Sequence, residues 1–239
     1  MDKNEAQYKK MTEEPVGGLI LSLAVPTIIS MIVTAIYNTA DTYFVSQLGT
    51  SASGAVGIVM SLMALIQSIG FMTGMGAGSW MSRLLGQKKD HMASQVAASG
   101  FYFSFALGIL VEVFGLLFLD PLVGLLGATE TIRPYAREYA QYILYAAPFL
   151  IASFTMNKML CSEGKARFAM CGIAFGGVLN IFLDPLFIFG FKLGIAGAAI
   201  ATGISQLVSF GILLYMFVSG RTIAKLGISN AARGVSMYV

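Results

Sequence analysis

Asp184 lies in the apolar run Phe168 to Phe191, and no other charge stands between Arg167 and Lys192. A charged side chain at a bilayer centre costs roughly 2.5–3.5 kcal/mol even on lenient insertion scales, so a chain that keeps one there has a functional reason by default. The local string runs Leu179-Asn180-Ile181-Phe182-Leu183-Asp184-Pro185. An amide therefore precedes the acid by one helical turn, and a helix-disturbing proline follows it. Asp41 repeats the pattern as the only charge between Glu14 and Arg83. Two isolated carboxyls in two apolar segments constrain this chain more than any other feature.

The apolar background is the reason they stand out. Hydrophobic residues make up 56% of the 239 and charged residues 11%, too few charges to cover a water-soluble domain of this size. Runs near 20 residues, the length that spans hydrocarbon as a helix, recur six times: Leu19–Asp41, Gly54–Met81, Ala93–Leu119, Tyr139–Met156, Phe168–Phe191 and Ile195–Val218. They are apolar on all faces, without the alternation of a barrel strand, which predicts an all-α integral membrane bundle of six transmembrane helices. The expected organisation is a cytoplasmic N-terminal segment over 1–18, a transmembrane lobe over 19–218 and a cytoplasmic segment over 219–239. A short interfacial helix, capped around Thr129, is expected in the segment Asp120–Glu138.

Lys and Arg set the orientation. With the N-terminus inside, twelve fall on the inner side (Lys3, Lys9, Lys10, Arg83, Lys88, Lys89, Lys158, Lys165, Arg167, Arg221, Lys225 and Arg233) and three outside (Arg133, Arg137 and Lys192). That asymmetry predicts both termini in the cytoplasm. The net charge of +3 then reflects topology, and no nucleic-acid partner is implied. The polar stretch Met1 to Glu14 reads as uncleaved rather than as a signal peptide. Cys161 and Cys171 fall near the cytoplasmic face and read as free thiols. The single histidine, His91, sits in a basic loop, so no metal-hydrolase or His-based triad can be assembled and an enzyme is not expected.

Small residues four apart, Gly70, Gly74 and Gly78 and then Gly172 and Gly176, predict close helix packing. Trp80 reads as an interfacial anchor. Pro26 interrupts the first apolar run and is a candidate hinge; Pro148 and Pro185 are weaker ones. An internal echo, Asp41-x-x-Phe44-Val45 against Asp184-x-x-Phe187-Ile188, puts the two acids in equivalent places.

Depth brings the polar residues together. Asp41 lies eight residues before Gly49, Asp184 eight before Lys192, and Thr202 eight beyond Gly194, each on the order of 10 Å from the outer boundary. Tyr139, five residues past Pro134, is slightly shallower. Asn180 shares a face with Asp184, and Ala198 with Thr202, because residues four apart stack on a helix. Four helices thus deliver oxygen-bearing groups to one layer. Such a layer suits a proton shared between two acids, or an alkali cation such as sodium held by hard oxygen donors. Glu112, eight residues before Asp120, is a further candidate at similar depth.

Leu23-Ala24-Val25-Pro26, Asn38-Thr39-Ala40-Asp41-Thr42-Tyr43-Phe44-Val45, and the strings Leu179 to Pro185 and Gly194 to Thr202 resemble the multidrug and toxic compound extrusion (MATE) transporters. The likeness is to the bacterial branch with DinF-like and MepA-like proteins. The resemblance implies a proton- or sodium-coupled antiporter of the bacterial inner membrane that exports cationic, amphipathic drugs. It also implies a cation site of Asp41, Asn180, Asp184 and Thr202, with a backbone carbonyl from Ala198, Tyr139 in the hydrogen-bond network, and bending of the first helix at Pro26. No cofactor beyond the coupling ion is implied. Family members have two six-helix lobes, and this chain resembles one, so the second lobe, or a second chain, is an expected partner. The competing readings are a lipid-linked saccharide flippase of related fold and a non-transporting half-lobe fragment or assembly subunit.

Overall fold

The computed structural model describes residue 13 and residues 15–227. Lys3, Lys9, Lys10 and Arg233, and most of the expected end segments over 1–18 and 219–239, lie outside the described residues. Six long helices and one short one form the described chain: α1 Val16–Ser46, α2 Thr50–Gly86, α3 Asp90–Leu117, α4 Leu119–Leu125, α5 Arg133–Ser162, α6 Ala166–Pro185 with a π-helical turn at Leu186–Gly190, and α7 Gly194–Val218. The long helices alternate in direction. The start of α1 and the end of α7 therefore share one end of the bundle, the terminal end, and the acids lie toward the far end.

All six expected spans are present, and the first, second and fourth extend beyond their apolar runs at both ends. The second, expected over Gly54–Met81, covers Thr50–Gly86, 37 residues or roughly 55 Å of helix. Apolar runs measure only the hydrocarbon layer, whereas a helix continues into the polar headgroup zone. The short helix differs from expectation. It occupies Leu119–Leu125, before Thr129 rather than after it, because Gly127 turns the chain at φ +99° and Pro134 in the first turn of α5 starts the next helix there.

Helix α5 is the core of the lobe. Most of its residues are buried, from Ala136 to Leu160, and α2, α3, α6 and α7 all pack on it. It is also the least apolar of the six spans, while α1 is the most apolar and the least buried. That ordering suits a bilayer: faces toward lipid must be apolar, whereas Tyr139, Thr155 and Asn157 can point inward where partners exist.

Close approach is strongest between α2 and α5. A Cβ on Gly74 would meet the backbone of Thr155 at 2.9 Å, and one on Gly70 would meet Ile151 O at 2.9 Å. Between them the hydroxyls of Thr73 and Thr155 are 2.7 Å apart. Where α6 meets α7, Ser209 donates to the Gly172 carbonyl at 2.9 Å. At the far end Gly197 rests on the π-helical turn, where a Cβ would lie 2.7 Å from the Phe187 carbonyl. The π turn, immediately after Pro185, thereby holds the start of α7 against the end of α6.

Gly74→Leu is expected to destabilise the lobe by about 1–3 kcal/mol through overpacking. Gly76, with nothing near its Cβ position, tests the argument: denaturation in detergent should show Gly76→Ala close to wild type.

Candidate functional site

The residues that sequence depth brings to one layer meet in the structure. Asp41 on α1 accepts a hydrogen bond from the Tyr139 hydroxyl of α5 at 3.2 Å. On α6 the Asn180 amide donates to Asp184 Oδ1 at 3.0 Å and lies 3.3 Å from Thr202 Oγ1 on α7. Tyr139 also lies beside Thr202 and within electrostatic reach of Asp184, which brings all four helices to one cluster. Asp184 is 0% exposed and Asp41 8%, and each feels the charge of the other.

Local sequence explains these positions. Asn180 and Asp184 occupy one face of the last turns of α6, just before Pro185 and the π turn end the regular helix. Thr202 and Ala198 share a face of α7, whose first turn is seated on that π turn through Gly197. Ala198 is fully buried in the same apolar cluster as Tyr139. Tyr139 enters from the first turns of α5, the buried central helix.

Three buried oxygens in this layer have no hydrogen-bond partner: Asp41 Oδ1, Asp184 Oδ2 and Asn180 Oδ1. Each such atom in a native interior requires a ligand, a water or an ion. Two carboxylate oxygens and an amide oxygen beside a threonine hydroxyl are hard donors that fit an alkali cation, and the carboxylates alone fit a proton. Among the described residues no cluster of three His, Cys, Asp or Glu side chains could hold a metal ion in the manner of a zinc site.

Pro26 is buried within an unbroken α1. The Thr27 hydroxyl bonds back to the Leu23 carbonyl and the Ser30 hydroxyl to the Pro26 carbonyl, so side chains take up part of the bonding that the proline disturbs. Glu112 stands half-buried on α3 with no hydrogen bond or ion pair to the constellation, and the structure does not join it to the other candidates.

Two features were missed by sequence reasoning. Tyr37 is buried one turn before Asp41 and stands beside Gln206 of α7; the same four-residue rule that singled out Asn180 also marks it. Glu163, in the tight loop between α5 and α6, is 2% exposed. It pairs with Lys165 at 2.6 Å and accepts from the Ile223 N–H, while Lys165 also donates to the Arg221 carbonyl at 2.6 Å. The chain beyond α7 is thereby strapped across the terminal end of the lobe, with the Lys225 N–H reaching Ser94 of α3 at 3.2 Å. No sequence signal found this strap, because Glu163 stands among Lys158, Lys165 and Arg167, which mark only the orientation of the chain.

Comparison with known proteins gives the family of the fold. The MatE family matches residues 26–186. The chain belongs to the MatE family. Its relatives include an FAD transporter from Shewanella oneidensis, 33% identical over 85% of this chain and 46% of that protein. They also include the multidrug export protein MepA of Staphylococcus aureus, 29% identical over 96% of this chain and 51% of MepA. A crystal structure of a MATE protein in the bent conformation superposes with a TM-score of 0.87 at 30% identity, over 96% of this chain and 50% of that one. This chain spans about half the length of the relatives it matches, and it is an all-helical, multi-pass membrane lobe of the MATE type.

Burial raises the pKa of Glu163 above the ordinary glutamate value, with the Lys165 charge and the backbone N–H groups of the strap opposing it. An acid whose folded value is raised binds protons better when folded, so this contribution to the stability of the lobe is fully present below the ordinary value and is lost as pH rises through the shifted one. The unfolding temperature should fall over that rise, and Glu163→Gln should flatten the pH response. Glu163→Ala should free the strap and speed tryptic cleavage after Arg221.

Proposed function

We propose that this lobe is the cation-binding half of a cation-coupled antiporter that exports cationic, amphipathic compounds across the bacterial inner membrane. The observation that carries the reading is the convergence of three partnerless oxygens, from Asp41, Asn180 and Asp184, beside Thr202. The coupling ion is a proton or sodium. Asp41, Asp184, Asn180 and Thr202 hold it, the Ala198 carbonyl adds a ligand, and Tyr139 orients Asp41.

The Lys and Arg distribution favours a cytoplasmic terminal end, which puts the acid layer toward the outside. A cation entering from outside neutralises or bridges the two carboxyls. That removes their mutual repulsion and draws α1 and α6 together. Pro26 is the hinge at which α1 yields, a reading supported by the bent conformation named for the structural relative. The membrane potential contributes about 2.3 kcal/mol per charge per 100 mV to the inward step. Substrate binding needs a second lobe, supplied by a longer protein or by a partner chain, since the matched relatives are about twice this length.

A second substrate class has one specific observation behind it, the 33% identity to an FAD transporter. The two differ in charge, so efflux of a cationic dye against export of flavin dinucleotide separates them, with the cationic dye favoured here by the MepA relatives. In a two-lobed protein carrying this lobe, Asp41→Asn or Asp184→Asn is expected to abolish cation-driven efflux and leave membrane insertion intact. Wild-type efflux in both variants contradicts the assignment.

A further inference from the structure

Thr34 lies seven residues before Asp41 on α1, and Ser209 seven beyond Thr202 on α7, so both stand on the order of 10 Å from the acid layer toward the terminal end. Between them is a small cavity of about 10 Å³ bounded by Thr34 and Tyr37 of α1, Ser153 of α5, Gly176 of α6, and Gln206 and Ser209 of α7. That is close to the room a single water molecule needs, and a water also needs two to four polar partners.

The lining meets the second condition. Ser153 is 4% exposed and its Oγ has no partner. Its neighbours behave differently: Thr34 bonds back to the Ser30 carbonyl and Thr155 to the Ile151 carbonyl, the usual recourse of a helical hydroxyl in an apolar setting. Ser153 forgoes that bond and presents its hydroxyl to the cavity. Across from it, Gln206 stands beside Tyr37, and Tyr37 is within electrostatic reach of Asp41. Ser205, buried and also partnerless at Oγ, stands on α7 between Thr202 and Ser209. Polar groups thus continue from the acid layer to the cavity on two helices. On α6 the cavity is bounded by Gly176, where a side chain would press on the α7 backbone at 3.0 Å.

We propose that this cavity is a water site, with Ser153 and Gln206 as its ligands, and that its water carries the hydrogen-bond network of the acid layer toward the terminal end of the lobe. The inference rests on the acid layer being a cation site: the water is then the first polar station on the side away from the entry point. Half-buried Thr34 and Gln206 leave an edge through which the water exchanges.

The test uses the full chain in lipid nanodiscs. Water-to-protein magnetisation transfer in solid-state NMR should show contacts to the Ser153 and Gln206 side chains, and the Gln206 contact should be lost in Ser153→Ala. Thermal unfolding gives the second readout, because the two alternatives have opposite signs. In a hydrated site Ser153→Ala removes a hydrogen bond, and Tm should fall by about 2–4 °C, the shift produced by one lost hydrogen bond in a chain this size. In a dry site the same change removes an unsatisfied hydroxyl, and Tm should rise. Gln206→Met, close in size and unable to hold the water, should likewise remove the Ser153 contact. Absence of water contacts in the wild type, or a Tm for Ser153→Ala at or above wild type, overturns the proposal. Cation binding measured on the same samples keeps the two readings apart: water contacts without cation binding would sink the cation-site reading and leave the water site standing.

Discussion

The burial of two carboxyl groups in a membrane interior governs this structure. Neither can be left alone there: an unpaired polar group in hydrocarbon is costly and an unpaired charge more so. Each acid needs a donor for one oxygen, which Asp41 receives from another helix and Asp184 from its own. Asp41 takes the Tyr139 hydroxyl and Asp184 the Asn180 amide. The second oxygen of each is left open. A lobe built only to hide the acids would close both, and the open pair beside Asn180 Oδ1 is the feature on which the proposed cation site rests.

Rigid packing elsewhere keeps that layer in register. α5 carries Tyr139, and its position is fixed by the close seam with α2 at Gly70, Gly74 and the Thr73–Thr155 hydroxyl pair. α7 carries Thr202, and its first turn is held by Gly197 against the π turn that follows Pro185. π-turns inside helices occur frequently at functional sites. Here the turn also changes the direction of the backbone just past Asp184. α1 is the looser member, largely exposed, with Pro26 inside it and attached chiefly to α6. The two acids therefore sit on one loosely held helix and one tightly held one, an arrangement that suits movement of Asp41 relative to Asp184 when the charge between them changes.

Much of this was legible in the chain because membrane physics makes sequence unusually informative. Apolar runs located all six spans, and counting residues from the loop ends placed Asp41, Asp184, Thr202 and Tyr139 in one layer before any contact was known. Asn180 followed from the four-residue stacking rule, and the same rule applied to Asp41 would have found Tyr37. Other features depend on tertiary contact. Glu163 gives no hint in sequence that the chain after α7 folds back over it, and Ser153 differs from its neighbouring hydroxyls only in what it fails to bond. Glu112 shows the converse: depth alone made it a candidate, but α3 packs against α2 and α5 and brings it no partner. Depth sets the layer of a residue, and the helix face decides whether it meets anything there.

Cation binding by the isolated chain is the most direct check of the central claim. Purified in nanodiscs, the wild-type lobe should bind sodium by calorimetry or take up a proton on acidification in a step assigned to its buried acids. Asp184→Asn should remove that binding while the helical spectrum and unfolding transition remain. A wild-type lobe that binds neither ion, or an Asp184→Asn lobe that binds as well as wild type, would contradict the account.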